Sequence, residues 1–436
     1  MTKHPLMLRL IVLGLLTLLL FVPLWMVRGT VDERAGYRAQ AEADIATSWG
    51  GRQTLSGPML VQTYHTVETV QVWDPNVEAY VEKQEQRRHR VVTFPEVLDV
   101  LGNVHVEQRY RGIYAVPVYR AELTLAGAMA VPAVPDEARE LRQMLVLGIQ
   151  DTRGLRAQPE VEWGNRSVPV DPGTATALRN GLHATLDDAP PGRQRFGIRL
   201  ALGGSQGLSL APVGGSTRIE ASSNWPHPRF TGGYLPEARR IGPDGFEATW
   251  RTSRYAATVR EGLEACVHGA ACALDPLELV TLELTDPVNV YALNDRSTKY
   301  ALLFVLVVFG VFFMYEALKK LRIHPVQYAL VGLGQALFFL LLLSLSEHVA
   351  FGLAYLAGAA LCIGLLAFYV SYVLKSARRA AGFAVLLCAI YGALYVMLLS
   401  EDYALLLGSM LLLAILAGAM YLTRNVDWYS VEAVEA

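Results

Sequence analysis

Residues 10–27 read LIVLGLLTLLLFVPLWMV, an apolar run without a charge that follows Lys3 and Arg9. At about 1.5 Å of rise per residue, a helix over this run is long enough to cross the roughly 30 Å hydrocarbon core of a bilayer. A cleaved signal peptide usually has a shorter apolar core that ends in a small-residue site, whereas this run ends with Trp25 just before Arg28. We therefore predict an uncleaved transmembrane helix over residues 10–27, with residues 1–9 in the cytoplasm.

Five more apolar runs occupy the C-terminal third of the 436-residue chain. They cover residues 300–318, 326–345, 349–374, 380–399 and 403–422. Hydrophobic residues make up 53% of the chain and charged residues only 18%, and nearly all the charge lies between Arg28 and Lys299. This segregation predicts six transmembrane helices in a lipid bilayer, one N-terminal and five C-terminal.

The charges between these runs alternate in sign. Basic turns contain Lys319, Lys320 and Arg322, then Lys375, Arg378 and Arg379, then Arg424, and acidic turns contain Glu347 with His348 and Glu401 with Asp402. Because basic turns mark the cytoplasmic side, both termini are predicted to be cytoplasmic, including residues 423–436, and residues 28–299 to be periplasmic. Arg28, Arg34 and Arg38 oppose this orientation, but a long domain translocates largely regardless of charge.

Residues 28–299 are rich in alternating apolar and polar side chains, which predicts half-buried β-strands. The clearest examples are residues 104–107, 114–125, 196–202, 208–210, 217–222, 246–252 and 279–284. Helices are predicted over residues 32–49, 136–143 and 255–265. The expected fold is an α+β membrane protein, with a large β-rich sandwich or related multi-sheet domain inserted between its first and second transmembrane helices.

The four cysteines fall into two kinds of sequence. Cys266 and Cys272 lie in the hydrophilic region, whereas Cys362 and Cys388 lie in apolar runs. In an exported domain the first pair is predicted to form a local disulfide, with an unpaired couple as the alternative, and the second pair is predicted to stay reduced. The spacing of the first pair is not a CxxC redox motif, and no zinc site is predicted.

Catalytic motifs are weak in this sequence. Residues 203–207 match G-x-S-x-G, but a nucleophile elbow needs a helix after the serine, and residues 208–212 read as a strand. The HExxH, Walker A and Rossmann glycine motifs do not occur. No catalytic, cofactor-binding or metal-binding residue is therefore predicted, and a net charge of -2 gives no basic excess for binding nucleic acid.

A few charged and aromatic residues remain as candidates for a functional cluster. They are Glu347, His348, Glu401 and Asp402, which share one predicted external face, and Trp225 and His227 in the aromatic, proline-rich residues 224–236. The alternative for the charged residues is a topological or helix-capping role, because all four lie near helix ends. The alternative for the aromatic segment is packing under a sheet.

Several long strings of residues follow one another along the chain in a specific order. They are WGGRQTLSGP (49–58), RYRGIYAVPVYRAELTL (109–125), DTRG (151–154), residues 225–236, KYALLF (299–304), LRIHPVQYALVG (321–332), LSLSEH (343–348), SEDYALLLGS (400–409) and YLTRNVDWY (421–429). In these strings the chain closely resembles, nearly end to end, the CreD family of bacterial inner-membrane proteins, which are described as cell-envelope-integrity proteins. The resemblance implies a multi-pass inner-membrane location and a role in envelope-stress tolerance under a two-component sensory system. It implies no catalytic residue, ligand or cofactor.

Two functions follow as hypotheses. The first is a non-enzymatic envelope protein whose periplasmic domain contacts an envelope component or partner. The second is a membrane enzyme or transporter that acts on a lipid-linked substrate at the outer leaflet, in which case the candidate cluster would line a cavity. Small residues at helical spacing, such as Ala354 and Gly358, predict close helix packing, and a homo-oligomer is compatible with the sequence.

Overall fold

The chain divides into two compact units. The computed structural model describes residues 5–74, 79–178, 180–186, 189–256, 258–269, 275, 278–285, 289–319, 323–373, 376–400 and 403–424. The helical unit comprises Met1–Ala39 and Val288–Ala436, and the β unit comprises Gln40–Pro287. Each unit has its own apolar core.

The described residues form seven α-helices. They are α1 (Pro5–Trp49), α2 (Val259–His268), α3 (Val290–Lys319), α4 (Pro325–Ser346), α5 (Phe351–Val373), α6 (Ala377–Leu399) and α7 (Ala404–Thr423). Within the described residues, α1 and α3 to α6 each contain a stretch long and apolar enough to cross a membrane, and a shorter apolar stretch, Leu406–Gly418, lies in α7. The last residues of α1 belong to the β unit, so this helix contributes to both units.

Side chains of the helical unit are apolar on the inside and on the outside. Phe312, Phe338 and Phe383 are almost completely buried between helices, whereas Leu356 and Leu361 are exposed. In a membrane the apolar outer surface faces lipid, which is as apolar as the leucines themselves, so the helices associate through close packing rather than through exclusion of water. The aromatic cluster between α3, α4 and α6 provides that packing.

The described residues of the β unit form two sheets of eight strands each. The first sheet contains β1 (Gln53–Asp74), β2 (Ala79–Thr93), β5 (Arg139–Ile149), β8 (Asp171–Pro172), β9 (Gly181–Thr185), β11 (Gly207–Leu210), β13 (Pro228–Gly232) and β16 (Val280–Leu284). The second contains β3 (Val97–Arg111), β4 (Tyr114–Val131), β6 (Glu160–Trp163), β7 (Arg166–Val168), β10 (Gly192–Ser205), β12 (Ser216–Ser223), β14 (Ala238–Gly242) and β15 (Gly245–Ser253). The strand order is β13-β16-β11-β1-β5-β9-β8 in the first sheet, with β2 paired to β1, and β14-β15-β12-β3-β4-β10-β6-β7 in the second.

One apolar core joins the two sheets into a sandwich. It contains Leu60 and Val146 of the first sheet together with Val100, Leu125 and Ile198 of the second. Along β3 and β4 buried and exposed side chains alternate, as expected for strands with one face on a core. The prediction of an α+β membrane protein with a β-rich domain between its first and second apolar helices is confirmed.

Some sequence-based expectations about helices differ from the structure. The helix predicted over residues 136–143 is wrong, because Arg139–Ile149 forms β5, which pairs with β1 and β9. The good helix formers at its start are outweighed by the run from Met144 to Ile149, which is buried between these two strands. In addition, α1 and α3 extend well beyond the apolar runs at residues 10–27 and 300–318.

Candidate functional site

Glu347 lies in a polar cluster at one end of the helical unit, where α1, the start of α3 and the end of α4 meet. It is the C-cap residue of α4, and its side chain is only 8% exposed. Its Oε1 accepts a hydrogen bond of 3.1 Å from the Tyr291 hydroxyl and lies 3.8 Å from Nε of Arg34. The carboxylate is therefore held by a cation from α1 and a donor from α3, which compensates the cost of burying it.

Asn294 completes this bundle-end cluster, which we define as Arg34, Tyr291, Asn294, Ser346 and Glu347. The Asn294 side chain is fully buried, and its Nδ2 donates to the Val290 carbonyl at 2.7 Å and to Ser346 Oγ at 3.0 Å. Its Oδ1 has no hydrogen-bond partner within the described part of the chain. A buried acceptor without a partner is uncommon, so the cluster retains capacity to accept one hydrogen bond from a donor.

Further polar pairs link α1 to the region around the start of α3. Arg28 Nε lies 3.9 Å from Oδ1 of Asp295, and Arg38 Nη1 donates to Oδ1 of Asn289 at 3.1 Å. The arginines that follow the first apolar run thus have partners that are distant in sequence. The partly exposed ion pair of Arg28 with Asp295 contributes about 0 to 1 kcal/mol, so it does not dominate stability.

Five further candidate residues were predicted from the sequence. His348 is exposed immediately after Glu347, and Glu401 and Asp402 lie outside the described residues. Trp225 and His227 belong to the β unit, whereas Glu347 and His348 belong to the helical unit. Within the β unit the rings of Trp225 and His227 lie 6.3 Å apart, and within the helical unit His348 directly follows Glu347. That all six residues form one cluster stays a prediction.

The aromatic, proline-rich segment is anchored against the core of the β unit. Trp225 Nε1 donates to the carbonyls of His227 at 3.1 Å and Thr285 at 3.2 Å. Phe230 packs edge-on against Phe246 and Trp250, with ring centroids 5.5 and 5.4 Å apart. The segment thus closes one end of the apolar core, which is the packing alternative considered for it.

A second polar site, at the end of α1, was not singled out as functional from the sequence. The Trp49 ring lies between two guanidinium groups, at 4.5 Å from Arg109 and 4.0 Å from Arg156. Trp49 Nε1 donates to the Tyr119 carbonyl at 3.2 Å, and Arg156 donates to the Trp49 carbonyl. Ile45 of the same helix packs on Val118. This Trp49 junction attaches the end of α1 to β3 and β4.

Glycines allow three chain segments to meet beside the Trp49 junction. Gln53 Nε2 donates to the carbonyls of Asp151 at 3.0 Å and Gly203 at 3.1 Å. A Cβ at Gly154 would lie 2.3 Å from the Gly203 carbonyl oxygen, so no side chain fits there. The adjacent pair Gly50-Gly51 directly after Trp49 is the sequence feature from which this junction could have been predicted.

Asp151 fixes the turn that carries Gly154. Its carboxylate accepts two hydrogen bonds of 2.9 Å from the Arg153 guanidinium and one of 3.1 Å from the Arg153 amide. These hydrogen bonds, above all those from the Arg153 side chain, hold the pKa of Asp151 below its ordinary value, although partial burial acts in the opposite direction. The group is therefore a structural carboxylate that stays ionised at neutral pH.

Ser205 is not a nucleophile of the elbow type. β10 ends at Ser205, Gln206 has a φ of 67°, and β11 begins at Gly207, so a strand follows where an elbow requires a helix. The buried Ser205 hydroxyl donates to the Gly50 carbonyl at 3.1 Å. Its role is to join β10 to the end of α1.

Three cysteines lie in the described part of the chain, and their states differ. Cys266 is disulfide-bonded, Cys362 and Cys388 are free, and Cys272 lies outside the described residues. The pairing of Cys266 with Cys272 stays a prediction. Among the described His, Cys, Asp and Glu side chains, no group of three or more could hold a metal ion.

Comparison with known proteins gives the family. The family described as inner membrane protein CreD matches residues 5–429. The inner membrane protein CreD of Escherichia coli strain K12 is 34% identical over 99% of this chain and 95% of its own length. The match thus runs through both the helical unit and the β unit. The chain belongs to the CreD family of inner membrane proteins.

Proposed function

We propose that this protein supports the integrity of the bacterial cell envelope through a non-catalytic contact between its β unit and an envelope component. The observation that carries the proposal is the far part of the β1–β2 hairpin. β5 pairs with β1 only as far as His65, and beyond that point β1 pairs with β2 alone among the described strands. We call residues 66–74 of β1 and 79–87 of β2 the distal ribbon.

The distal ribbon exposes apolar side chains that are not part of the apolar core of the β unit. Its exposed fractions are 41% for Val67, 39% for Val72, 51% for Trp73, 67% for Tyr80 and 36% for Val81. Trp73 and Tyr80 face each other across the strands, with ring centroids 5.3 Å apart. Exposed apolar groups in proximity are typical of interaction sites, and tryptophan and tyrosine supply much of the energy at such sites.

The proposal is tested by removing the aromatic pair. We expect the double variant Trp73→Ala, Tyr80→Ala to reach the membrane at the wild-type level and to fail to restore survival under cell-wall-active antibiotics in a strain without the gene. Tyr255→Ala is the matched control, because Tyr255 is an aromatic residue of the same unit that is 87% exposed. This control should restore survival fully.

Two results would contradict the proposal. One is survival of the double variant at the wild-type level with equal protein in the membrane, which would remove the ribbon from the function. The other is turnover of a peptidoglycan or lipid-linked precursor by the purified wild-type protein, which would make the function catalytic.

A periplasmic position of the β unit and cytoplasmic termini form part of the proposal. They are supported by the basic residues Lys320 and Lys375 in two turns between apolar runs and by the acidic Glu347 and Glu401 in the two others. A reporter active only in the periplasm should be active when fused after Thr285 and inactive when fused after Lys320. The reverse pattern would overturn the orientation.

A second candidate function is favoured by the bundle-end cluster. The buried Glu347 carboxylate and the unpaired Oδ1 of Asn294 offer acceptors for a polar headgroup, as a transporter or enzyme for a lipid-linked substrate would require. If this function is correct, Asn294→Leu should abolish binding of a lipid-linked precursor in detergent, while Leu353→Ala on the exposed face of α5 leaves it unchanged. Equal binding by both variants and the wild type would eliminate it.

A further inference from the structure

The outer edge of β2 has no neighbouring strand among the described residues. Among the described strands, β2 pairs with β1 alone, over its whole length from Ala79 to Thr93, and residues 79–88 are exposed. Such an edge presents unpaired backbone N–H and C=O groups and can add a further strand.

Charges along β2 select one register for pairing with a second copy. β2 carries Glu82, Lys83, Glu85, Arg87, Arg88 and Arg90. In an antiparallel pair of two β2 strands centred on Gln86, Glu82 lies opposite Arg90 of the second copy and Glu85 lies opposite Arg87 of the second copy. Each pair occurs twice because of the two-fold axis, and no like charges stand directly opposite.

Neighbouring registers lack this complementarity. When the axis passes through Glu85, that residue opposes itself and Lys83 opposes Arg87 of the second copy. When the axis passes through Arg87, two arginines oppose each other. Like charges directly opposite destabilise a strand pair, so these two registers are disfavoured. A register centred on Gln84 pairs only Lys83 with Glu85, whereas the register centred on Gln86 has two different complementary pairs.

The charges within one copy favour the same arrangement. Glu85 stands directly opposite Glu68 in the β1–β2 pairing, which is unfavourable in a single chain. Arg87 Nη1 already contacts Glu68 at 3.2 Å, and Arg90 Nη1 donates to the Val267 carbonyl at 2.6 Å. On β1, Glu85 lies opposite another carboxylate. In the dimer, Arg87 of the second copy would lie opposite Glu85 on its other side and supply a cation. Both arginines retain further guanidinium donors for a carboxylate of the second copy.

We propose that this protein forms a homodimer in which the β2 strands of two copies pair antiparallel, with the two-fold axis at Gln86. The first sheets of the two copies then form one continuous sheet. The inference does not depend on the envelope contact, because strand pairing uses the backbone edge of β2, whereas that contact uses the exposed side chains of Trp73 and Tyr80.

Cysteine cross-linking of the full chain in native membranes tests the register. With Gln86→Cys, mild oxidation should give a covalent dimer on a non-reducing gel. Gln84→Cys is the matched control on the same strand face, because residue 84 would lie opposite Arg88 of the second copy. The two introduced sulfurs would then be separated by roughly 13 Å along the strands, too far for a disulfide. Equal yields for the two variants, or no dimer for Gln86→Cys, would overturn the proposal.

A charge exchange distinguishes specific pairing of the two β2 strands from chance collision of two chains. Adding Glu85→Arg to Gln86→Cys should strongly reduce the covalent dimer, because each added arginine would oppose Arg87 of the second copy. Adding Arg87→Glu as well should restore the yield. Failure of the second exchange to restore it, with normal protein levels, would contradict the charge-specified pairing, as would an adduct to another envelope protein in place of the dimer.

Discussion

Two long antiparallel hairpins of the β unit, β3–β4 and β1–β2, differ in what surrounds them. β3–β4 lies in the middle of the second sheet, between β12 and β10, and one of its faces is buried. The distal ribbon of β1–β2 has no further strand on either side among the described residues. The same pairing geometry therefore forms a core in one hairpin and an exposed surface in the other, because neighbouring strands decide which side chains are buried.

The largest expected effect is a loss of local stability when a core side chain of β4 is truncated, compared with truncation of a side chain on the distal ribbon. Leu125→Ala should reduce the local free energy of unfolding by about 3 kcal/mol, since Leu125 is 1% exposed and its removal leaves a cavity. Val67→Ala on the ribbon should change it by less than about 0.5 kcal/mol. Hydrogen–deuterium exchange of the detergent-solubilised full chain, read by mass spectrometry for peptides of each hairpin, measures both values.

The internal control for that experiment is Leu101→Ala in β3. Leu101 has the same side chain in the same hairpin but is 53% exposed on the outer face. Its exchange should stay close to that of the wild type. A large effect at Leu101 or Val67, equal to that at Leu125, would show that burial does not distinguish the two hairpins.

The second prediction compares two tryptophans. Trp49→Ala should cost about 2 kcal/mol, because it removes two cation–π contacts, a hydrogen bond to Tyr119 and the packing of a half-buried ring. Trp73→Ala should leave stability nearly unchanged, because that ring is 51% exposed at the end of the ribbon. Faster amide exchange around residues 109–119 in the first variant alone is the expected outcome, and equal stability of both variants would exclude the Trp49 junction as a structural anchor.

The sequence predicted the parts of this fold in which successive residues share one environment or alternate regularly between two. Uniform apolar runs predicted the membrane helices, and alternation predicted strands such as residues 114–125, because that strand has one buried face. The β2 half of the distal ribbon was not singled out, since exposure of both its faces removes the alternation that marks a strand. The strand β5 was mistaken for a helix because its burial depends on β1 and β9, which are distant in sequence.

The candidate site was predicted less completely, for the same reason. Glu347 was recognised from its position at a helix end, but its contacts to Arg34 and Tyr291 join residues from three helices. Trp225 was recognised as distinctive, and its Nε1 donates to the backbone of its own segment and of Thr285. Pair contacts between distant segments leave no periodic signal in a single sequence, so the sequence indicated which residues matter but not what they contact.

The third prediction concerns pH and the turn at Asp151. Because hydrogen bonds from Arg153 hold the folded-state pKa of Asp151 below its ordinary value of 3.8, the carboxylate stabilises the turn fully at neutral pH. That contribution should be lost as pH falls below the ordinary value and through the folded-state pKa. Asp151→Asn should accelerate exchange around residues 151–156 at neutral pH and remove this part of the acid dependence. An unchanged acid dependence in the variant would contradict the assignment, and ribbon peptides serve as the internal reference.

The smallest expected effect lies within the ribbon itself. Glu85 opposes Glu68, whereas Glu82 opposes the neutral Gln71. At a protein concentration low enough to keep the chain monomeric in detergent, Glu85→Gln should therefore raise the free energy of local opening in residues 66–74 by a few tenths of a kcal/mol and so slow exchange there. Glu82→Gln should leave that free energy unchanged. Raising the concentration until dimers form should reverse the sign for Glu85→Gln, because that variant loses the contact with Arg87 of the second copy. If both variants behave alike at low concentration, the repulsion between Glu85 and Glu68 is negligible, and the intrachain argument for pairing along β2 fails with it.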